Sequence, residues 1–292
     1  MAPLVRPFLH PGSNTWSYVV SEGDGGAAAI VDPVLDFDPA AARTGTASAQ
    51  ALLDHVRERG LRVEWILETH AHADHLSAGD WLRRQLPGAK LAIGDGIRTV
   101  QATFRPVFGL GNDFPIDGSQ FDHLFADGET FAIGALQAQV IAVPGHTSDS
   151  NAYLVGDALF PGDSLFMPDA GTARCDFPGG DAATLYASIR GLYALPDTTR
   201  VFVCHDYGRR AGDSGGRDVA CETTIGAQKR GNIHLREGTT QAEFVAMREA
   251  RDATLAVPAL LLPALQVNIR AGALPEPEAD GIRYLRLPVD IL

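Results

Sequence analysis

The stretch Thr69-His70-Ala71-His72-Ala73-Asp74-His75 places three imidazoles and one carboxylate within six consecutive positions. The chain has 9 histidines in 292 residues, so a chance His-x-His-x-Asp-His match has odds on the order of one in a thousand from composition alone. Neutral imidazoles and carboxylates bind zinc or ferrous iron, and the residue types do not choose between the two. The chemistry to expect is that of a bound divalent cation.

The surrounding pattern says how such a cluster is held. An apolar strand, Val63 to Leu67, runs straight into it, and behind it Ala78, Trp81, Leu82 and Leu86 recur at helical spacing before Pro87-Gly88. The cluster therefore sits in a strand-to-helix loop, a common place for a site. Upstream, Trp16 to Val20 and Ala27 to Val31 read as a hairpin, and Ser48 to Arg59 as a helix with Leu52, Leu53 and Val56 on one face and Gly60 as its stop. Downstream, a strand from Leu136 to Val143 ends in Pro144-Gly145-His146-Thr147. Ala152 to Val155 pairs across Gly156-Asp157 with Ala158 to Phe160, which leads to Gly162-Asp163-Ser164. Asp181 can cap a helix bearing Leu185, Ile189, Leu192 and Tyr193, and Arg200 to Cys204 is a strand ending at His205. Thr240 to Glu243 has capping-box form, and Pro263 to Pro275 reads as irregular.

Collecting the histidines and acids at strand ends gives His70, His72, Asp74, His75, His146, Asp163 and His205. With these spacings and contexts the chain resembles the metallo-β-lactamase superfamily. The resemblance implies an α/β fold, a four-layer αββα sandwich of two mixed sheets flanked by helices, as one domain over 1–292 with an irregular segment from about 255 packed on it. The seven donors permit two zinc ions activating a hydroxide for hydrolysis. Alternatively His70, His146 and Asp163 form a two-histidine, one-carboxylate face on a single Fe(2+), with His72, Asp74, His75 and His205 behind it.

Further motifs resemble the persulfide dioxygenase branch: Asp169 to Gly180, Leu185 to Ile189, His205-Asp206-Tyr207, and Asn268-Ile269-Arg270-Ala271-Gly272. That likeness implies one iron per chain on His70, His146 and Asp163, with glutathione persulfide oxidised by O2 to sulfite and glutathione. It also implies that Arg174, Cys175, Asp176 and Phe177 lie beside the substrate. The segment from Met167 to Arg174 and the longer insertion from Gly208 to Leu235, with Arg209, Arg210 and Arg217, depart from the shorter mitochondrial form. The alternative is a dinuclear zinc hydrolase of the glyoxalase II kind, whose members carry a helical C-terminal substrate domain; a third is a metal-bearing sensor without catalysis.

The candidate substrate contacts are Arg174, Tyr207, Asn268, Arg270 and Cys175. Arg174 and Arg270 fall in irregular segments and suit anion binding. Cys175 follows Arg174, which favours a thiolate, though a packed thiol is the alternative. Tyr207 either faces substrate or packs on the core. His10, His55, His123 and His234 read as surface or structural, and Cys204 as a small core residue. The composition, 36 acidic against 24 basic residues for a net charge of -12, disfavours nucleic acid and anionic membranes as partners. No apolar run has signal-peptide or membrane-span length. With three separated cysteines the expectation is a cytoplasmic protein, and a homodimer by symmetry.

Overall fold

The computed structural model describes residues 2–208 and 217–291; Arg209 and Arg210 lie outside them. The first half runs β1 (Leu4–His10), β2 (Thr15–Ser21), β3 (Ala27–Val31), β4 (Val34–Asp38), β5 (Arg43–Gly45), α1 (Ala47–Glu58), β6 (Arg62–Leu67), β7 (Leu76–Ser77), α2 (Gly79–Gln85), β8 (Lys90–Gly94), α3 (Ile97–Val107) and β9 (His123–Phe125). The second runs β10 (Thr130–Ile133), β11 (Leu136–Ala142), β12 (Asn151–Val155), β13 (Ala158–Phe160), α4 (Ala182–Leu192), β14 (Arg200–Phe202), β15 (Glu222–Thr224), α5 (Ile225–Gly231), α6 (Gln241–Asp252) and α7 (Leu261–Asn268).

Each half supplies one six-stranded sheet, in the orders β1-β2-β3-β6-β8-β9 and β10-β11-β12-β13-β14-β15. Both are mixed. β1 to β3 are antiparallel and β3, β6, β8 and β9 parallel, while β13 and β14 form the parallel pair of the other sheet. A short sheet, β5-β4-β7, sits beside them. β3 is buried along its whole length, as a strand covered on both faces must be. β11 alternates buried Leu136, Ala138 and Val140 with exposed Gln137 and Gln139, the period of a strand with one wet face.

The sheets pack face to face through Tyr18, Val31, Leu67 and Phe125 from one and Val140, Tyr153, Phe160 and Phe202 from the other. Outside the first sheet lie α1, α2, α3 and α7, with Leu52, Leu82, Phe104 and Leu265 in their core. Outside the second lie α4, α5 and α6, with Leu185, Ile225 and Phe244. The layering is therefore helix, sheet, sheet, helix, as expected. Asp181 caps α4 by accepting from Thr184 N at 2.7 Å, and Thr240 and Glu243 form the expected capping box on α6.

The C-terminal segment departs from expectation. Where Pro263 argued for irregular chain, α7 runs from Leu261 to Asn268. Pro263 is its third residue, inside the first turn, where backbone N–H groups have no helical partner to lose. Likewise Pro7 sits in β1, an edge strand, which spares a ladder hydrogen bond. No helix among the described residues is long and apolar enough to cross a membrane.

Candidate metal centre

The histidine loop is pinned from three directions. Asp32, at the end of β3 with φ 47°, accepts from Thr69 N at 2.7 Å and from Thr69 Oγ1 at 2.9 Å. Asp149 Oδ2 accepts from Ala71 N at 2.8 Å. Asn268, at the end of α7, donates through Nδ2 to the carbonyls of His72 and His75 at 2.7 and 2.9 Å. On the opposing sheet, Gly162 sits at φ 52°, and a Cβ there would lie 2.7 Å from Thr69 Oγ1. Only glycine lets the Asp163 turn come so close.

All seven expected donors converge at this edge. Asp163 Oδ2 lies 3.6 Å from His146 Nε2 and 3.9 Å from His70 Nε2, and its Oδ1 lies 3.2 Å from His205 Nε2. Asp74 Oδ2 is 3.4 Å from the same His205 nitrogen. The donor atoms of His70, His146 and Asp163 all fall within 4.8 Å of one another, as do those of His72, Asp74 and His75. Several rings use their other nitrogen on a neighbouring oxygen: His146 Nδ1 faces Arg174 O at 2.7 Å, His75 Nδ1 faces Leu76 O at 3.3 Å and His205 Nδ1 faces Asn14 O at 3.3 Å. A carbonyl can only accept, so each Nδ1 carries the proton and each Nε2 offers its lone pair to the centre.

Those inward atoms lack partners. His70 Nε2, His75 Nε2, His205 Nε2, Asp163 Oδ1 and Asp74 Oδ2 are buried without a hydrogen bond. Buried polar atoms are rarely left so, and a divalent cation among them fits this donor set. In the metal-free chain burial holds His70 well below the ordinary imidazole range and brings His75 down to about 3. Burial also opposes protonation of His72 and His205, but carboxylates outweigh it. Asp32, 3.1 Å away, holds His72 up at about 9, and Asp163 with Asp74 holds His205 up at about 10.

A cavity of about 550 Å³ opens onto the donors, lined by Asp74, His146, Asp163 and His205 and walled by Phe166, Arg174, Phe177, Tyr207 and Arg251. Arg174 and Tyr207 thus line the cavity that opens onto the donors. Tyr207 is 60% exposed and stacks on His205. Arg174 is already held: it chelates Asp176 through Nε at 2.5 Å and Nη2 at 2.6 Å and donates to Ala256 O at 2.6 Å.

Three other expectations move. Cys175 is a buried thiol, pushed up to about 12 by burial and then by Asp252, which opposes the thiolate that Arg174 favours. Asn268 is buried under the histidine loop as its brace. Arg270 lies over the Phe114 ring at 4.8 Å, donates to Gln266 O, and lines a separate cavity with Arg286. Arg251 was missed. Its cue, a lone arginine at the end of an amphipathic helix, does not distinguish it from an ordinary surface charge. Arg217, from the insertion, pairs with Asp169 and Asp206.

An αββα sandwich with histidine and aspartate donors gathered at one edge of its paired sheets defines a class of metal-binding proteins. Within that class, the chain belongs to the metallo-beta-lactamase superfamily, whose family model matches residues 10–205. Over 292 residues it is 53% identical to the beta-lactamase hydrolase-like protein of Agrobacterium fabrum, covering 99% of this chain but spanning only 65% of that protein. It is 47% identical to glyoxylase B2 of Dictyostelium discoideum, over 99% of this chain and 97% of that one. The mitochondrial persulfide dioxygenase ETHE1 of Bos taurus matches at 30% over 70% of this chain and 68% of its own. The crystal structure of ETHE1 from Myxococcus xanthus superposes with a TM-score of 0.71 at 29% identity, over 92% of this chain and 100% of that one.

Proposed function

We propose that the chain is a non-haem iron-dependent persulfide dioxygenase, converting glutathione persulfide, O2 and water to glutathione and sulfite. One observation carries the reading. His70, His146 and Asp163 bring two imidazoles and one carboxylate within 4.8 Å of one another, while His72, whose Nε2 lies 3.1 Å from the Asp32 carboxylate, also groups with Asp74 and His75. A two-histidine, one-carboxylate face is the ferrous oxygenase pattern. The ETHE1 relatives support the same reaction.

Iron held there supplies a binding position for the soft persulfide sulfur and one-electron exchange with O2, which zinc does not offer. The residues do the rest. His205 Nε2 lies 3.2 Å from Asp163 Oδ1 and 3.4 Å from Asp74 Oδ2, so its ring packs beside the Asp163 carboxylate and limits how that carboxylate can turn. Phe166 and Phe177 wall off water beside the donors. Arg251, with no carboxylate partner among the described residues, is placed to take a glutathione carboxylate at the cavity wall.

The second reading is a dinuclear zinc thioesterase, favoured by the additional donors His72, Asp74, His75 and His205 and by the glyoxylase B2 likeness. An oxygen electrode and a thioester assay on one iron-loaded sample separate them. The dioxygenase consumes O2 and makes sulfite only with persulfide present, and leaves S-lactoylglutathione intact. Brisk thioester cleavage without oxygen uptake transfers the assignment to the hydrolase.

A further inference from the structure

Against the wall of the same cavity lies a buried ion pair, Arg248 with Asp252, that the proposed reaction does not use. Arg248 of α6 is 1% exposed. It chelates Asp252 Oδ1 through Nε at 3.0 Å and Nη2 at 2.6 Å, and its Nη1 donates to Thr172 O at 3.0 Å. The other oxygen of Asp252 accepts from Cys175 N at 2.8 Å. The pair thus grips both ends of the four-residue segment from Thr172 to Cys175. The two residues between the grips touch the metal centre. Ala173 N donates to Asp163 O at 3.3 Å, and Arg174 O accepts from His146 Nδ1 at 2.7 Å.

We infer that Arg248 and Asp252 are positioning residues for the metal centre, fixing through one loop segment the tautomer of His146 and the placement of Asp163. A buried charged pair is a poor route to stability for its own sake, whereas outer partners that orient ligand rings control metal affinity. Arginine suits the task because its planar fork holds a carboxylate with two N–H groups while a third meets a carbonyl. The inference rests on His146 and Asp163 being ligands, as proposed above.

The test is competition between the full-length protein and a chelator for Co2+, with the visible spectrum of the Co2+ protein as signature. Arg248→Met and Asp252→Asn should weaken Co2+ binding by about 10–100-fold, the usual range for outer-shell partners, and shift the ligand-field bands. Arg248→Lys, which keeps the charge but not the fork, should recover part of both. Thr240→Ala removes the capping box of the same helix without touching the loop, so it lowers the melting temperature and leaves affinity and bands unchanged. Wild-type affinity and spectrum in folded Asp252→Asn overturn the inference even if Arg248→Met does not fold. Equal weakening in Thr240→Ala also overturns it. His72→Ala and His146→Ala judge the underlying reading separately: equal metal loss in both overturns the mononuclear site, whatever α6 does.

Discussion

At the residue scale the seven donors are not equivalent, and their surroundings say how they differ. Replacing His70, His146 or Asp163 by Ala should remove most bound iron, since each takes a third of a three-donor face. His72→Ala or His205→Ala should keep substantial iron and lose activity, by about 10–100-fold as for outer partners; metal analysis beside a rate assay checks both. Among the arginines, Arg174 has its guanidinium engaged by Asp176 and Ala256 O, while Arg251 has no carboxylate partner among the described residues. Arg251→Ala should raise KM for the persulfide about tenfold with iron content unchanged, as losing one charge-assisted bond predicts, roughly 1.5 kcal/mol. Arg270→Ala should leave KM alone and lower the melting temperature, because its contacts are Phe114 and Gln266. An unaltered KM in the Arg251 variant removes that residue from the substrate site.

At the element scale the legible parts of the sequence were those whose period or punctuation is local. The hairpin, the strand into His70, the helices α1 and α4 and the caps at Asp181 and Thr240 follow from alternation, helical spacing and cap chemistry. The seven donors were legible because each lies in a segment that follows a strand. β4, β5, β8 and α3 drew no expectation, and α7 was read as irregular because a first-turn proline looks like a breaker until the helix start is known. Asn268, Arg248 and Asp252 were hidden more deeply, since what each grips lies far away in sequence. His234 shows what such packing does to titration. Burial, followed by Arg248 and Arg251, lowers it to about 4 from 6.5, and its Nδ1 accepts from Thr172 N at 2.9 Å. The unfolded chain therefore binds more protons than the native one between these values, so this contribution is present above pH 6.5 and lost as pH falls toward 4. Melting temperature against pH should fall over that window in the wild type and be flatter in His234→Asn; identical slopes would exclude His234 as the source.

At the scale of the whole molecule, a cation that binds only the folded chain stabilises it by about 4 kcal/mol when free metal stands a thousandfold above Kd. Chelation should lower the melting temperature by several degrees, read by calorimetry with and without excess chelator, and no change would mean that the inward donors hold no metal. The site also straddles a seam. His70, His72, Asp74 and His75 belong to the first sheet's half and His146, Asp163 and His205 to the second, stitched by Trp16 N donating to Cys204 O at 2.7 Å and by a bridge between Thr15 and His205. Neither half carries all of His70, His146 and Asp163, so metal capture on the proposed three-residue face should wait on contacts of long sequence separation. Cutting the chain in the turn between β9 and β10 should give two polypeptides that each lack the Co2+ spectrum of the intact protein. Mixing them in the presence of the ion should restore that spectrum, turning the metal into a reporter of fragment complementation.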